Sequence, residues 1–123
     1  VDITRGGIDV AEITITPWGS WEVLLDADGY KVKRIAVNPG KRLSYQKHFK
    51  RAEHWYGVAG DGIVVLDGKQ IHVSPGQAVD IPLEASHRAM NEGQEPFIFI
   101  EVQRGSYLGE DDIERLEDDY GRS

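Results

Sequence analysis

The 123-residue chain contains no cysteine, which removes disulfides, thiolate metal sites and cysteine nucleophiles together. No apolar run approaches the ~20 residues that a membrane-spanning helix needs, and the opening residues lack a charged-then-apolar leader. Membrane partnership is therefore not expected, and the missing cysteines fit a cytoplasmic setting. Cations are in the minority: 14 Lys and Arg stand against 21 Asp and Glu, a net charge of −7 that disfavours nucleic acid as a partner. Much of that acidity sits in residues 109–119, GEDDIERLEDD, so an anionic substrate stays compatible with the remainder. Internal repeats and low-complexity segments are also missing. The length suits one domain with a single core over residues 1–123.

Short alternating segments cut by Gly and Pro fill most of the chain. Residues 1–10 show no period and read as an N-terminal arm. Strands are predicted over 12–16, 21–26 and 30–38, the last placing Lys31, Lys33, Ile35 and Val37 on one face. Two cations at the end of an apolar face point to a cavity mouth. Asp67-Gly68 between residues 63–66 and 70–73 is the clearest hairpin signal. Further strands follow at 78–81, 87–90 and 97–103, with Glu101 and Gln103 on the face of Phe97 and Phe99. Only residues 110–120 read as helical, with Ile113 and Leu116 as a thin apolar stripe, lying as a solvated helix or a flap over the barrel. The pattern predicts an all-β antiparallel sandwich or barrel spanning 11–107, with a short acidic C-terminal helix. A barrel of this size can hold one small ligand in its mouth.

Chemistry concentrates in residues 40–60, GKRLSYQKHFKRAEHWYGVAG. In an extended segment Gln46 and His48 point to one side, ~6.5 Å apart. A turn at Lys50 and Arg51 returns Glu53 on the next strand, facing His48. Residues 76–91, GQAVDIPLEASHRAMN, add His87. These two stretches resemble the paired signature of the cupin superfamily. Gly40, His48, Glu53 and Gly60 fit its first box, with Gln46 at the first histidine position. Gly76, Pro82, His87 and Asn91 fit the second, with Glu84 where the superfamily has Gly. The likeness narrows through Pro17-Trp18-Gly19, residues 29–34 (GYKVKR), Arg51-Ala52-Glu53-His54-Trp55, Glu101-Val102-Gln103 and residues 105–113 (GSYLGEDDI). Over residues 17–122 the chain resembles type II mannose-6-phosphate isomerase, commonly the C-terminal half of an enzyme whose other half is a mannose-1-phosphate guanylyltransferase. Gln at position 46 is usual for that family. Thr16 in place of Arg, and Phe49-Lys50 in place of a His-rich run, are departures.

The resemblance implies a double-stranded β-helix, a jelly-roll-like barrel, and an aldose–ketose isomerase acting on mannose 6-phosphate and fructose 6-phosphate. It also implies one divalent metal ion (Zn, Mn, Fe, Co or Ni) on Gln46, His48, Glu53 and His87. That set carries a single negative charge, so a divalent cation keeps an excess positive charge suited to a developing enediolate. A base must reach the transferred proton: Glu101 is first choice from its inward parity and His54 second, with Lys33 also in the catalytic set. Lys33, Arg51 and Arg88 are candidates for substrate oxygens and phosphate. Barrels of this class often pair through edge strands, so the resemblance implies a homodimer. The alternatives are a non-catalytic sugar-phosphate-binding cupin and a metal-dependent cupin dioxygenase, the latter weakened by Gln46.

Overall fold

The computed structural model describes residues 12–122, so the N-terminal arm expected at 1–10 lies outside the described residues. Eleven strands run β1 (Ile13–Thr16), β2 (Gly19–Ala27), β3 (Tyr30–Val37), β4 (Tyr45–Lys47), β5 (Arg51–Ala59), β6 (Gly62–Leu66), β7 (Lys69–Val73), β8 (Ala78–Ile81), β9 (His87–Met90), β10 (Phe97–Gly105) and β11 (Glu114–Glu117). They form two antiparallel sheets. The larger has the order β1-β2-β3-β10-β5-β8 and the smaller β11-β4-β9-β6-β7. Among the described residues no helix is long and apolar enough to cross a membrane.

The period of two decides what lies between the sheets. Along β3, Lys33, Ile35 and Val37 are buried while Val32, Arg34 and Ala36 are only half-buried. Along β10 the same parity buries Phe97, Phe99, Glu101 and Gln103. Phe97 and Phe99 meet at 5.2 Å between ring centroids, and Trp55 stacks on Phe99 at 4.5 Å. This aromatic floor, with Ile35, Val64, Ile81 and Ala89, fills one end of the sandwich. At the other end the inward positions turn polar, and that end is the site.

Turn chemistry holds the register. Asp67 (φ 48°) and Gly68 (φ 82°) both take positive φ, the type I′ pattern that joins twisted strands. Gly60 combines φ 73° with a backbone so close to Pro96 that a Cβ would sit 2.2 Å from its carbonyl oxygen. Asn91 is a structural tie: its amide donates to the carbonyls of Val37 and Glu95 and accepts from Gly93 N–H. Glu84 is left-handed at φ 64°, at the position where the cupin signature has glycine. An L-residue there costs about 1–2 kcal/mol, partly offset by the lower unfolded-state entropy of a non-glycine. Glu84→Gly should therefore raise stability by about 0.5–1 kcal/mol in chemical denaturation. An equal or lower midpoint would show that the Glu84 side chain carries a compensating contact.

The acidic C-terminal helix expected at 110–120 does not form. Residues 114–117 instead extend the small sheet as β11, pairing with β4 through Glu114↔Lys47 and Arg115↔Gln46. A helix would have stacked Glu110 on Glu114 and Glu114 on Asp118, like charges one turn apart, with only two apolar residues to bury. The open edge of β4 offers ladder hydrogen bonds in exchange. Asp112 adds its own, its carboxylate accepting from Phe49 N–H (3.0 Å) and Lys50 N–H (2.9 Å). Arg42 holds Asp119 at 2.8 Å, and Tyr120 donates to Arg42 O. The helical reading of this segment is corrected: residues 114–117 form the edge strand of the small sheet.

Candidate metal centre

Strand register assembles the site. Gln46 on β4 stands directly across from His87 on β9. On the opposing sheet Glu101 lies between Lys33 of β3 and Trp55 of β5, and Gln103 lies across from Glu53. His48 follows β4, and Arg51 opens β5. Donor atoms of His48, Glu53 and His87 all fall within 4.8 Å of one another, and all three residues are buried.

The protonation pattern follows from the partners. His48 Nδ1 lies 2.7 Å from Asp112 O and His87 Nδ1 2.9 Å from Ala85 O. A carbonyl only accepts, so both Nδ1 atoms carry hydrogen and both Nε2 atoms present a lone pair inward. Burial, then the charge of Arg51, pushes His48 down to about 4; burial likewise lowers His87. Both rings are thus neutral donors at physiological pH. Glu53 Oε2 lies 3.3 Å from His48 Nε2, and Glu53 Oε1 lies 3.8 Å from His87 Nε2. His87 Nε2 is buried with no hydrogen-bond partner. Arg51 and Trp55 donate to the His48 and Glu53 atoms, but His87 Nε2 stays a buried, unpaired lone pair beside the Glu53 carboxylate, an arrangement that a cation bound there would relieve. Two neutral imidazoles, one carboxylate and the Gln46 amide oxygen, itself accepting from Ser44 Oγ at 2.7 Å, fit a divalent first-row metal.

A second layer fixes these groups. Trp55 Nε1 donates to Glu53 Oε1 (2.8 Å) and Glu101 Oε2 (3.1 Å), so one indole bridges two carboxyl groups. Arg51 Nε donates to Glu53 Oε2 at 2.7 Å and its Nη2 approaches His48 Nε2 at 3.2 Å. Gln103 Nε2 donates to Glu101 Oε1 at 3.0 Å. Burial first, and the neighbouring Glu53 charge second, push Glu101 up to about 8.

Around this centre opens a cleft of about 620 Å³, including its mouth. Gln46, His48, Arg51, Trp55 and Glu101 line its depth, Lys33 and Trp21 one wall, and Thr16, Glu110, Arg115 and Arg122 the rim. Lys33 is buried, lies 4.1 Å from the Trp21 ring centroid and donates to Glu110. Arg51 Nη1 is buried without a hydrogen-bond partner. Of the residues singled out from sequence, Gln46, His48, Glu53, His87, Glu101, Lys33 and Arg51 are brought together. His54 is not: it is exposed on the outer face of β5, its Nδ1 2.6 Å from Asp80, because alternation points it away from Glu53. Nor is Arg88, which lies on the outer side of the small sheet, donating to Leu43 O and to Glu117. Sequence reasoning missed Arg115 because it sits in the segment read as a helix, and Arg122 because it falls just beyond that segment, where no element was predicted. The bridging role of Trp55 had a legible signal, since it shares the parity of Glu53 two residues on.

An antiparallel double-stranded β-helix with an inward cluster of two histidines, a carboxylate and an amide defines a cupin. The chain belongs to the mannose-6-phosphate isomerase C-terminal family, whose profile matches residues 7–118. Among curated relatives it is 50% identical over 107 residues to the alginate biosynthesis protein AlgA of Pseudomonas aeruginosa, covering 87% of this chain and 22% of that protein. It is 47% identical over 106 residues to a mannose-1-phosphate guanylyltransferase of Escherichia coli, covering 86% and 22%. The chain thus spans about a fifth of the length of these relatives. Among solved structures it is similar to a Klebsiella pneumoniae protein with a double-stranded β-helix domain (TM-score 0.68, 25% identity, 78% of this chain and 77% of that one). The capsular polysaccharide assembling protein CapF of Staphylococcus aureus shares the fold at TM-score 0.79 and 20% identity, over 88% of this chain and 34% of CapF.

Proposed function

We propose that this domain interconverts mannose 6-phosphate and fructose 6-phosphate. The observation that supports this reading most is the placement of Glu101: a buried carboxyl beside the candidate metal-ligand cluster, lining the same cleft as Lys33 and Arg51. Aldose–ketose exchange moves one proton between C1 and C2 and needs nothing oxidised or reduced overall. A divalent cation held by Gln46, His48, Glu53 and His87 would polarise the sugar carbonyl.

The protein's own groups do the remainder. Glu101, whose carboxyl burial raises above the usual range in the metal-free cluster, is the group placed to take a proton from one carbon and return it to the next. Trp55 and Gln103 hold its two oxygens, so the carboxyl pivots little between the two transfers. Arg51, with an uncommitted Nη1, and Lys33 are placed to bind sugar oxygens. The rim cation Arg115 stands where the phosphate of a substrate reaching into the cleft would lie, and its guanidinium suits that group; Arg122 lies on the same rim with its Nε and Nη2 donating to Asp118.

The test is direct: the metal-reconstituted chain is given each sugar phosphate and product formation is followed. Interconversion in both directions, lost with chelator and restored by added metal, is the expected result. Binding of either sugar phosphate without turnover would support a non-catalytic cupin instead, and oxygen uptake by the iron form would support a dioxygenase.

A further inference from the structure

The cations of the cleft differ in where their carboxylate partners lie. Arg51 is paired with Glu53, whose side chain is 1% exposed, and Arg122 with Asp118, which is 3% exposed. Neither carboxylate lines the cleft, so these pairs show it their positive member. Lys33 is different. Its ammonium donates to Glu110, whose side chain is 50% exposed and lines the cleft beside it. Lys31 Nζ lies 3.9 Å from the same oxygen, Glu110 Oε2. Glu101 and Glu110 are the two carboxyl groups among the lining residues, and the isomerisation chemistry uses only the first.

The chain holds Glu110 in place. Lys31 Nζ donates to Leu108 O at 3.0 Å, Ser106 N to Lys50 O at 3.2 Å and Asp112 N to Gly109 O at 3.2 Å. The Asp112 carboxylate adds its two bonds to Phe49 and Lys50 N–H. Residues 106–112 are thus fastened on both sides of Glu110, and a ligand meets this carboxylate where it stands.

We infer that Glu110 masks Lys33 against phosphate and so sets which end of a sugar phosphate enters along this wall. The ligand is that of the function proposed above, on which this rests; what is added is its orientation. A phosphoryl group brings a charge of roughly −1.5 to −2, and beside Lys33 it would press against a carboxylate. Hydroxyl groups bring no charge. To them the ion pair offers a donor next to an acceptor: the Lys33 ammonium, and Glu110 Oε1, since both lysine contacts are made by Oε2. Two neighbouring sugar hydroxyls match that, one accepting and one donating. The direction matters because Lys33 stands across from Glu101 on the adjoining strand. A phosphate drawn to Lys33 would fill the end of the cleft where C1 and C2 must lie. With that wall masked, the phosphate is left to the Arg115 side of the rim.

Inorganic phosphate is the probe, titrated by calorimetry into the chain with and without added metal. Glu110→Gln should bind it at least ~10-fold more tightly than the parent in both forms, through removal of one adjacent negative charge. Adding Lys33→Met should erase the gain, because the unmasked ammonium is then gone. The ion-pair partners of Glu110 are Lys31 and Lys33, so circular dichroism and metal affinity of Glu110→Gln should match the parent. Turnover of mannose 6-phosphate gives a second readout. In Glu110→Gln kcat and KM should fall together, because substrate held the wrong way round occupies the cleft without reacting; a loop merely disturbed would raise KM. Unchanged phosphate affinity in Glu110→Gln, a gain that survives Lys33→Met, or KM rising as kcat falls would each overturn the inference. A phosphate gain in the variant of a parent that turns over neither sugar phosphate would uphold the mask and sink the isomerase reading, so the two fail separately.

Discussion

Substituting His87 with alanine should cut metal affinity by more than ~100-fold, since loss of a mere supporting contact to a ligand costs 10–100-fold. Turnover should fall below detection with it. The side chain is 1% exposed, donates through Nδ1 to Ala85 O and offers its other nitrogen to the cluster, so no neighbouring group can take its place. Binding is measured by competition with a chromophoric chelator, and circular dichroism checks the fold. A variant that binds metal like the parent would remove His87 from the ligand set and with it the proposed chemistry.

Glu101→Gln should lower kcat by ~10²–10⁴-fold while metal affinity changes little, which separates proton transfer from metal holding. The amide fits the site. Trp55 Nε1 can still donate to its oxygen, and Gln103 Oε1, buried without a partner, can accept from its NH₂ after a flip of the Gln103 amide. The same variant carries a pH signature in metal-stripped protein. The Glu101 carboxyl is raised in the folded state, so its contribution to stability is complete below the unfolded value of 4.5 and is lost as pH rises toward about 8. His48, lowered to about 4, works oppositely but only below its unfolded value of 6.5. Between pH 6.5 and 8 the slope from Glu101 stands alone between these two groups, at most ~1.4 kcal/mol per pH unit for one proton. The parent should lose denaturation midpoint across that window and Glu101→Gln should lose less. Equal slopes would mean that Glu101 is ionised throughout.

The strands were legible from sequence because alternation is local: Lys33, Ile35 and Val37 announce one buried face without reference to anything distant. Gln46, His48, Glu53 and His87 were legible because their spacing fits two signature boxes, and register then closes them on each other. The 110–120 segment was not legible. Its thin apolar stripe is a helical period only in isolation, and what decides its shape is an open strand edge some 70 residues earlier, together with Asp112 reaching the backbone of Phe49 and Lys50. Misreading that segment also hid Arg115 at the cleft rim. Arg88 misled for a different reason. Its position beside His87 is right, but neighbours in a strand face opposite ways.

The bond from the His48 ring to the carbonyl of Asp112 ties the segment that carries β11 to a candidate metal ligand. A cation drawing on Nε2 makes the Nδ1 hydrogen a better donor, and by reciprocity a firmly seated tail makes His48 a better ligand. Were a metal to load this centre, its binding and the fastening of the β11 segment would be one equilibrium read at two places. Proteases that nibble at the tail become reporters of what the barrel holds.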